Sequence, residues 1–265
     1  MTAGGINLNK GTMMKKTVLL MLILGAGISY ADQQADDLNA KRMAWAKAYL
    51  EKQGLPTPDG GVKIVPEKQM ASYAEKKEER MKFKKDIQSF GYIKTDNPST
   101  NQLLTLPITS KRDLMNHAND SDPQSTHLKK SINDLKMAYN ATQVPPSVAD
   151  TYIGAAPYLT YLKDQGWVGA IQFFNNKSVG NCSFSENNIK LSHGSIVIAK
   201  EDVRNDVNGK TTTVEIMGKP DTGFTYTVEW FDDAFFRKVE CANKQYSADI
   251  TNSAIALANQ IDASN

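Results

Sequence analysis

The hydrophobic rhythm of the chain changes near its middle. Residues 32 to about 150 place apolar side chains at helical spacing, whereas from about Trp167 onward the spacing becomes two. In residues 36–53, Leu38, Trp45, Ala48 and Tyr49 share one helical face, and the Gly- and Pro-rich stretch 54–61 ends that helix as a linker. Pro66 suits the first position of a second helix over residues 67–90. Its apolar residues form two groups rather than one stripe. Met70, Tyr73, Ala74 and Met81 gather around one direction; Phe83, Ile87 and Phe90 centre about 130° away on a helical wheel. Either the helix breaks near Arg80 or its two ends pack on different neighbours. Residues 91–121 show no sustained period and are expected to be extended. A third helix is expected from Asp122, an N-cap with Pro123 in the first turn, through Leu128, Ile132, Leu135 and Tyr139. Val144-Pro145-Pro146 stops it.

The second half reads as strands. Phe224, Tyr226, Val228 and Trp230 alternate with Thr225, Thr227 and Glu229; Val214 and Ile216 alternate with Thr213 and Glu215; Ile189 and Leu191 alternate with Lys190 and Ser192. Phe235, Arg237, Val239 and Cys241 share one parity. Turn residues separate the runs at Asn175-Asn176, Glu186-Asn187-Asn188, Asn208-Gly209, Asp221-Thr222-Gly223 and Asp232-Asp233. Ile250, Ala254, Leu257 and Ile261 form the buried face of a C-terminal helix. The expected fold class is α+β. A helical, partly extended region (32–150) precedes an antiparallel β meander, sandwich or small barrel with a C-terminal helix (151–265).

The beginning of the chain carries an address. Lys15-Lys16 is followed by the apolar run TVLLMLILGAGI and by Ser29-Tyr30-Ala31, the pattern of a secretory signal peptide. The run is too short for ~30 Å of hydrocarbon. Residues 1–31 are therefore expected to be an upstream extension plus signal peptide, leaving no transmembrane segment in the mature chain and a periplasmic or secreted protein. In an oxidising compartment, Cys182 and Cys241, 59 residues apart, are expected to pair as a structural disulfide.

Charge narrows the function classes. The chain has 31 basic and 29 acidic residues, and three of the lysines precede residue 32 while no acid does. The near-neutral remainder argues against nucleic acid as a partner. The basic run 76–85 contains Glu78 and Glu79 and reads as a salt-bridged helix face.

Candidate chemistry is sparse. His193 lies between Ser192 and Ser195, but neighbours in sequence are not a triad. His117 and His127 show no metal-ligand spacing to each other or to a Cys. Residues 204–215 match part of a calcium loop, yet Arg204 stands where the first carboxylate belongs, so Asn208-Gly209 reads as a hairpin turn. No nucleophile elbow, phosphate loop or dinucleotide fingerprint occurs. No catalytic residue, metal ligand or cofactor is assigned.

These features point to an exported, non-catalytic binding or structural protein, an accessory subunit of a cell-envelope assembly such as a secretion system. Its partners would be other envelope proteins, contacted through Met70, Tyr73, Met81, Phe83, Ile87 and Phe90. The alternatives are a hydrolase with an unrecognised site in the β half, or a secreted effector, for which Asn140-Ala141-Thr142 and Asn176-Lys177-Ser178 have the form of glycosylation acceptors. Intact-mass measurement of the exported protein is expected to show Asp32 as its first residue; retention of Met13 or Met14 would overturn the export reading.

Overall fold

A computed structural model describes residues 61–70, 73–117 and 120–264. The signal peptide and the expected helix over 36–53 lie outside the described residues. The elements in order are strand β1 (Gly61–Val65), helix α1 (Tyr73–Phe90), strand β2 (Ile93–Lys94) and helix α2 (Pro98–Asn116). Strands β3 (Thr151–Leu162), β4 (Gly166–Asn176), β5 (Gly180–Asn188), β6 (Ser195–Ala199), β7 (Arg204–Val207), β8 (Lys210–Lys219), β9 (Gly223–Phe231) and β10 (Phe235–Asn243) follow, and helix α3 (Ala248–Ala263) closes the chain.

An eight-stranded, antiparallel-rich sheet runs in the order β2-β8-β9-β10-β5-β4-β3, with β7 also pairing β8. It is two meanders, β3-β4-β5 and β8-β9-β10, joined where β10 pairs antiparallel with β5. The short pairing of β2 with β8 is parallel, as is a separate ribbon of β1 on β6.

One face of the sheet carries the main core. Phe174, Cys182, Phe184, Tyr226, Val228, Trp230, Val239 and Cys241 pack against Ala254, Leu257, Ala258 and Ile261 of α3. The α3 helix begins at Ser247, whose Oγ accepts the Ile250 N–H at 3.1 Å. Its last turn carries Asp262, a buried acid that accepts from Trp230 Nε1, Lys210 Nζ and Asn208 Nδ2 at 2.5–2.9 Å. Asn208 and Gly209 have φ of 46° and 75°, as a tight hairpin requires. That turn thus also docks α3.

Cys182 and Cys241 are directly opposite one another on β5 and β10 and are bonded, with Cα atoms 4.0 Å apart. The bridge links neighbouring strands at the junction of the meanders. Along the same junction Arg237, fully buried, donates to Glu186 and Asp232 at 2.6 Å. Glu186 in turn accepts the N–H and hydroxyl of Thr142. Phe235 stacks beneath the Arg237 guanidinium at 4.5 Å.

Several expectations are corrected. Residues 98–116, expected to be extended, form α2. Asn97 caps it by accepting the Ser99 N–H, and its inward positions are Thr100, Leu103, Leu106 and Ser110. Two of those four are polar, and Thr100 meets Thr225 at 2.6 Å, so no apolar stripe marks the helix. The third helix from Asp122 does not form. Asp122 caps only a turn, and its Leu128, Ile132 and Leu135 are buried from a non-helical strap with one 3₁₀ turn at Ile132–Asp134. The strap's backbone groups pair with the sheet instead: Lys129 exchanges both bonds with Ala155, and Trp167 N–H donates to Lys136 O. Glu186-Asn187-Asn188 lies inside β5, and Ile189–Leu191 forms the turn that follows.

Glu186→Ala removes the buried partner of the Arg237 guanidinium and leaves it only the half-buried Asp232 carboxylate at 2.6 Å. It is expected to lower stability by about 3–5 kcal/mol, whereas the paired change Glu186→Leu with Arg237→Met recovers most of the loss. Urea denaturation of the three proteins checks this.

Candidate functional site

Helix α1 lies at the surface of the described residues. None of its 18 residues is buried, and Met81, Ile87 and Phe90 are exposed by 62%, 49% and 48%. Ionic tethers hold its middle. Arg80 pairs with Glu67 and, at 2.7 Å, with Asp202; Lys84 also pairs with Glu67. The hydrogen bond from Lys84, with that from Arg80, holds the buried Glu67 carboxyl below its usual range. Glu67 N–H donates to Glu201 at 2.8 Å, so the 3₁₀ turns Glu67–Gln69 and Lys200–Asp202 form one charged bracket for the helix.

The end of α1 is anchored by aromatic rings. Phe90 lies 5.9 Å from Tyr92, which contacts Phe224 and Tyr246 at 4.9 and 4.8 Å. Gly91 stops the helix at φ +81°, and a Cβ there would fall 1.9 Å from the Tyr246 hydroxyl. A side chain at 91 would therefore displace Tyr246 from the junction.

Of the sequence-derived docking residues, Tyr73, Met81, Phe83, Ile87 and Phe90 lie on α1. Met70 does not: it is extended and ends the preceding 3₁₀ turn, so it is not part of a helical patch. The second group is divided. Phe90 leans on Tyr92, and Ile87 lines a cleft of ≈ 200 Å³ with Val214, Glu215 and Ile216 of β8 and with Tyr246 and Thr251. This cleft lies along the outer side of β8. There β7 pairs at Lys210 and Thr212, and β2 pairs at Met217 and Gly218.

The sheet face away from α3 is polar at its centre. The register brings Thr213, Glu229, Lys238 and Ser185 into one row, and Glu215, Thr227, Glu240 and Ser183 into the next. Phe231 and Phe236 bound this face under the β1–β6 ribbon. At the other end α2 seats Leu103 and Leu106 on Ala242. Lys238 pairs with Glu240 at 2.6 Å, and Thr213 donates to Glu229 at 3.1 Å. Glu215 is exposed as a residue, yet its carboxyl is pushed up to about 7. Crowding by protein that displaces water is the main cause, followed by repulsion from Glu229, Asp202 and Glu240. Loss of hydration likewise raises Glu229.

His193 sits in a turn at φ +50°, and the Ser192 hydroxyl donates to Asn187 Oδ1 at 3.4 Å. The Asn176 side-chain amide is engaged with the Val148 carbonyl at 2.9 Å. Arg204, in the calcium-like stretch, pairs with Asp206 at 2.5 Å, so the cation occupies the carboxylate a metal would need.

One cluster escaped the sequence reading. Asp113, His117 and His127 converge at the end of α2. Asp113 and His117 are four apart, one helical turn, but the spacing has meaning only once residues 98–116 are helical.

Compared with known protein families, with curated proteins and with solved structures, the chain matches none of them. No helix among the described residues is long and apolar enough to cross a membrane.

Because Glu215 binds its proton more tightly folded than at its ordinary 4.5, the folded state gains protons over the unfolded one between 4.5 and about 7. Stability from this group is present at the acid end of that window and falls as pH rises through it. Glu215→Gln is expected to flatten the dependence, read as urea midpoints at a series of pH values.

Proposed function

We propose that the chain is an exported, non-catalytic binding protein of the cell envelope, an accessory subunit of an assembly such as a secretion system. In this reading the disulfide-tied sheet is the rigid platform, and α1 is the docking element for a partner protein. The observation that carries it is a helix of 18 residues with none buried, displaying Met81, Ile87 and Phe90. Tertiary packing normally stabilises a helix through an apolar face. The bracket around Glu67 instead holds α1 with charged contacts and leaves apolar side chains outward. Export rests on the N-terminal address, and the Cys182–Cys241 bond suits an oxidising compartment.

A hydrolase is the second reading, favoured by one observation. Glu215, near 7, shares the open polar face with Glu229, and carboxyls in unlike environments suit acid and base roles. Loss of a measured hydrolysis in both Glu215→Gln and Glu229→Gln would support that reading over docking.

Met81→Ser with Ile87→Ser removes two outward side chains. Burying one such side chain against a partner contributes about 1.5–3 kcal/mol. Recovery of cross-linked partners from the native envelope is expected to fall at least about tenfold, with Tm changed by no more than about 2 °C. A lowered Tm with unchanged recovery per folded molecule would show that the two residues serve the monomer, and the docking reading would be abandoned.

A further inference from the structure

The end of α2 and the strap that follows it bring together a carboxylate, Asp113, and two imidazoles, His117 and His127. Asp113 Oδ1 lies 3.8 Å from His117 Nε2 and 3.8 Å from His127 Nδ1. One ligand atom from each of the three residues lies within 4.8 Å of the other two. At 3.8 Å neither imidazole is hydrogen-bonded to the carboxylate, since such bonds close to about 2.7–3.2 Å. The three groups converge without satisfying one another.

We propose that Asp113, His117 and His127 form a binding site for a divalent transition-metal ion of the zinc, nickel and copper class. Two imidazole nitrogens and one carboxylate oxygen are a donor set for those ions, whereas calcium and magnesium select oxygen alone. Three protein ligands leave a coordination position for water or for a donor from another molecule. The site does not depend on the docking role of α1.

The surroundings orient the donors. Asp113 Oδ2 accepts the Leu128 N–H at 2.9 Å, which turns Oδ1 toward the two rings. Outer hydrogen bonds of this kind fix metal-ligating carboxylates. The backbone that carries His127 is held on both sides. Its own N–H donates to Ser125 Oγ at 3.2 Å; Leu128 is buried, and Lys129 exchanges backbone bonds with Ala155 at 2.7 and 2.9 Å. Lys129 Nζ also donates to Asp120 O at 2.7 Å, closing the loop onto the end of α2. The same Nζ pairs with the Asp120 carboxylate at 3.4 Å, and the hydrogen bond from Ser125, then the Asp122 N–H, holds that carboxyl down at about 2.

Only side-chain rotation is then needed to close the site. The two rings are stacked, with centroids 3.4 Å apart and planes 7° from parallel. A metal bound through an imidazole nitrogen lies near that ring's plane, so one ion cannot serve both rings until they tilt apart. Donor separations must shorten to about 3.3–3.6 Å for tetrahedral bonds of about 2.0–2.2 Å. His117 and His127 keep 34% and 43% of their side-chain surface in solvent, so the tilt meets no core packing.

The chain has three histidines, which makes His193 an internal control. Untagged protein is titrated with Zn²⁺ and with Ni²⁺ by calorimetry, and imidazole ¹⁵N resonances are followed with Zn²⁺. One ion per chain is expected, with Kd in the micromolar range or below. Affinity should drop at least tenfold in His117→Ala and in His127→Ala, drop to a smaller extent in Asp113→Asn, and stay unchanged in His193→Ala. The His117 and His127 resonances of the unsubstituted protein should move together while those of His193 stay, a readout independent of whether any variant folds. Absence of binding at micromolar metal, equal binding by the His117→Ala/His127→Ala double variant, or metal-induced shifts confined to other residues would overturn the proposal.

Discussion

Two three-stranded meanders become one sheet only where β5 meets β10, and that contact joins segments made far apart in the chain. Non-local pairing must offset the entropy of closing the intervening loop before it contributes stability. Two cross-strand pairs meet that cost here. Cys182–Cys241 is covalent and faces the α3 core. Glu186–Arg237 is ionic, buried on the same face and extended to Thr142 and Asp232. The ionic pair carries its own penalty: among the described residues Arg237 Nη2 is buried without a hydrogen-bond partner. Its contribution is therefore to fix register as well as to stabilise, because a slip of one residue between β5 and β10 would put the two charges on opposite faces of the sheet.

The division of the sheet into unlike faces follows from that register. The α3 side is closed by aromatic and aliphatic packing, and its buried polar atoms at Asp262 and Tyr226 are matched by donors or acceptors. Among the described residues, the opposite side has apolar cover near its ends, from α2 and from the β1–β6 ribbon. Loss of hydration, with repulsion from neighbouring acids after it, raises the proton affinity of Glu215 and Glu229 in its middle rows. Helix α1 is attached near β8 through ion pairs at its middle and aromatic contacts at its end. Of the ion pairs, Arg80–Asp202 has the more exposed acid and is the more open to screening by salt.

How much of this was legible depended on whether an element's inward face was chemically uniform. β9 shows its period because Phe224, Tyr226, Val228 and Trp230 are all apolar, and α3 shows its period because Ala254, Leu257 and Ile261 are. Helix α2 hides behind Thr100 and Ser110, which are buried but polar. The strap containing Leu128, Ile132 and Leu135 imitates a helix because spacing alone cannot tell helical burial from burial at the edge of a sheet. Asn187 and Asn188 resemble a turn although hydrogen bonds from β10 hold them in a strand. At the candidate sites, the exposed apolar residues of α1 were visible as a charge-rich helix with divergent patches. The polar sheet rows and the His117–His127 cluster were not, since both are made by tertiary contact between separated segments.

The position of the disulfide has a consequence for the order in which the molecule is completed. Synthesis delivers Cys182 59 residues ahead of Cys241, and between them come β6, β7, β8 and β9. Until β10 arrives, β5 is an open edge that carries a reduced thiol, and the first meander has no neighbour on that side. Such an edge invites pairing with another chain. The edge stays unprotected until five further strands, β6 to β10, have been made. Oxidation of the thiol pair then marks the moment at which the last strand has taken its place, and with it the disappearance of the adhesive edge.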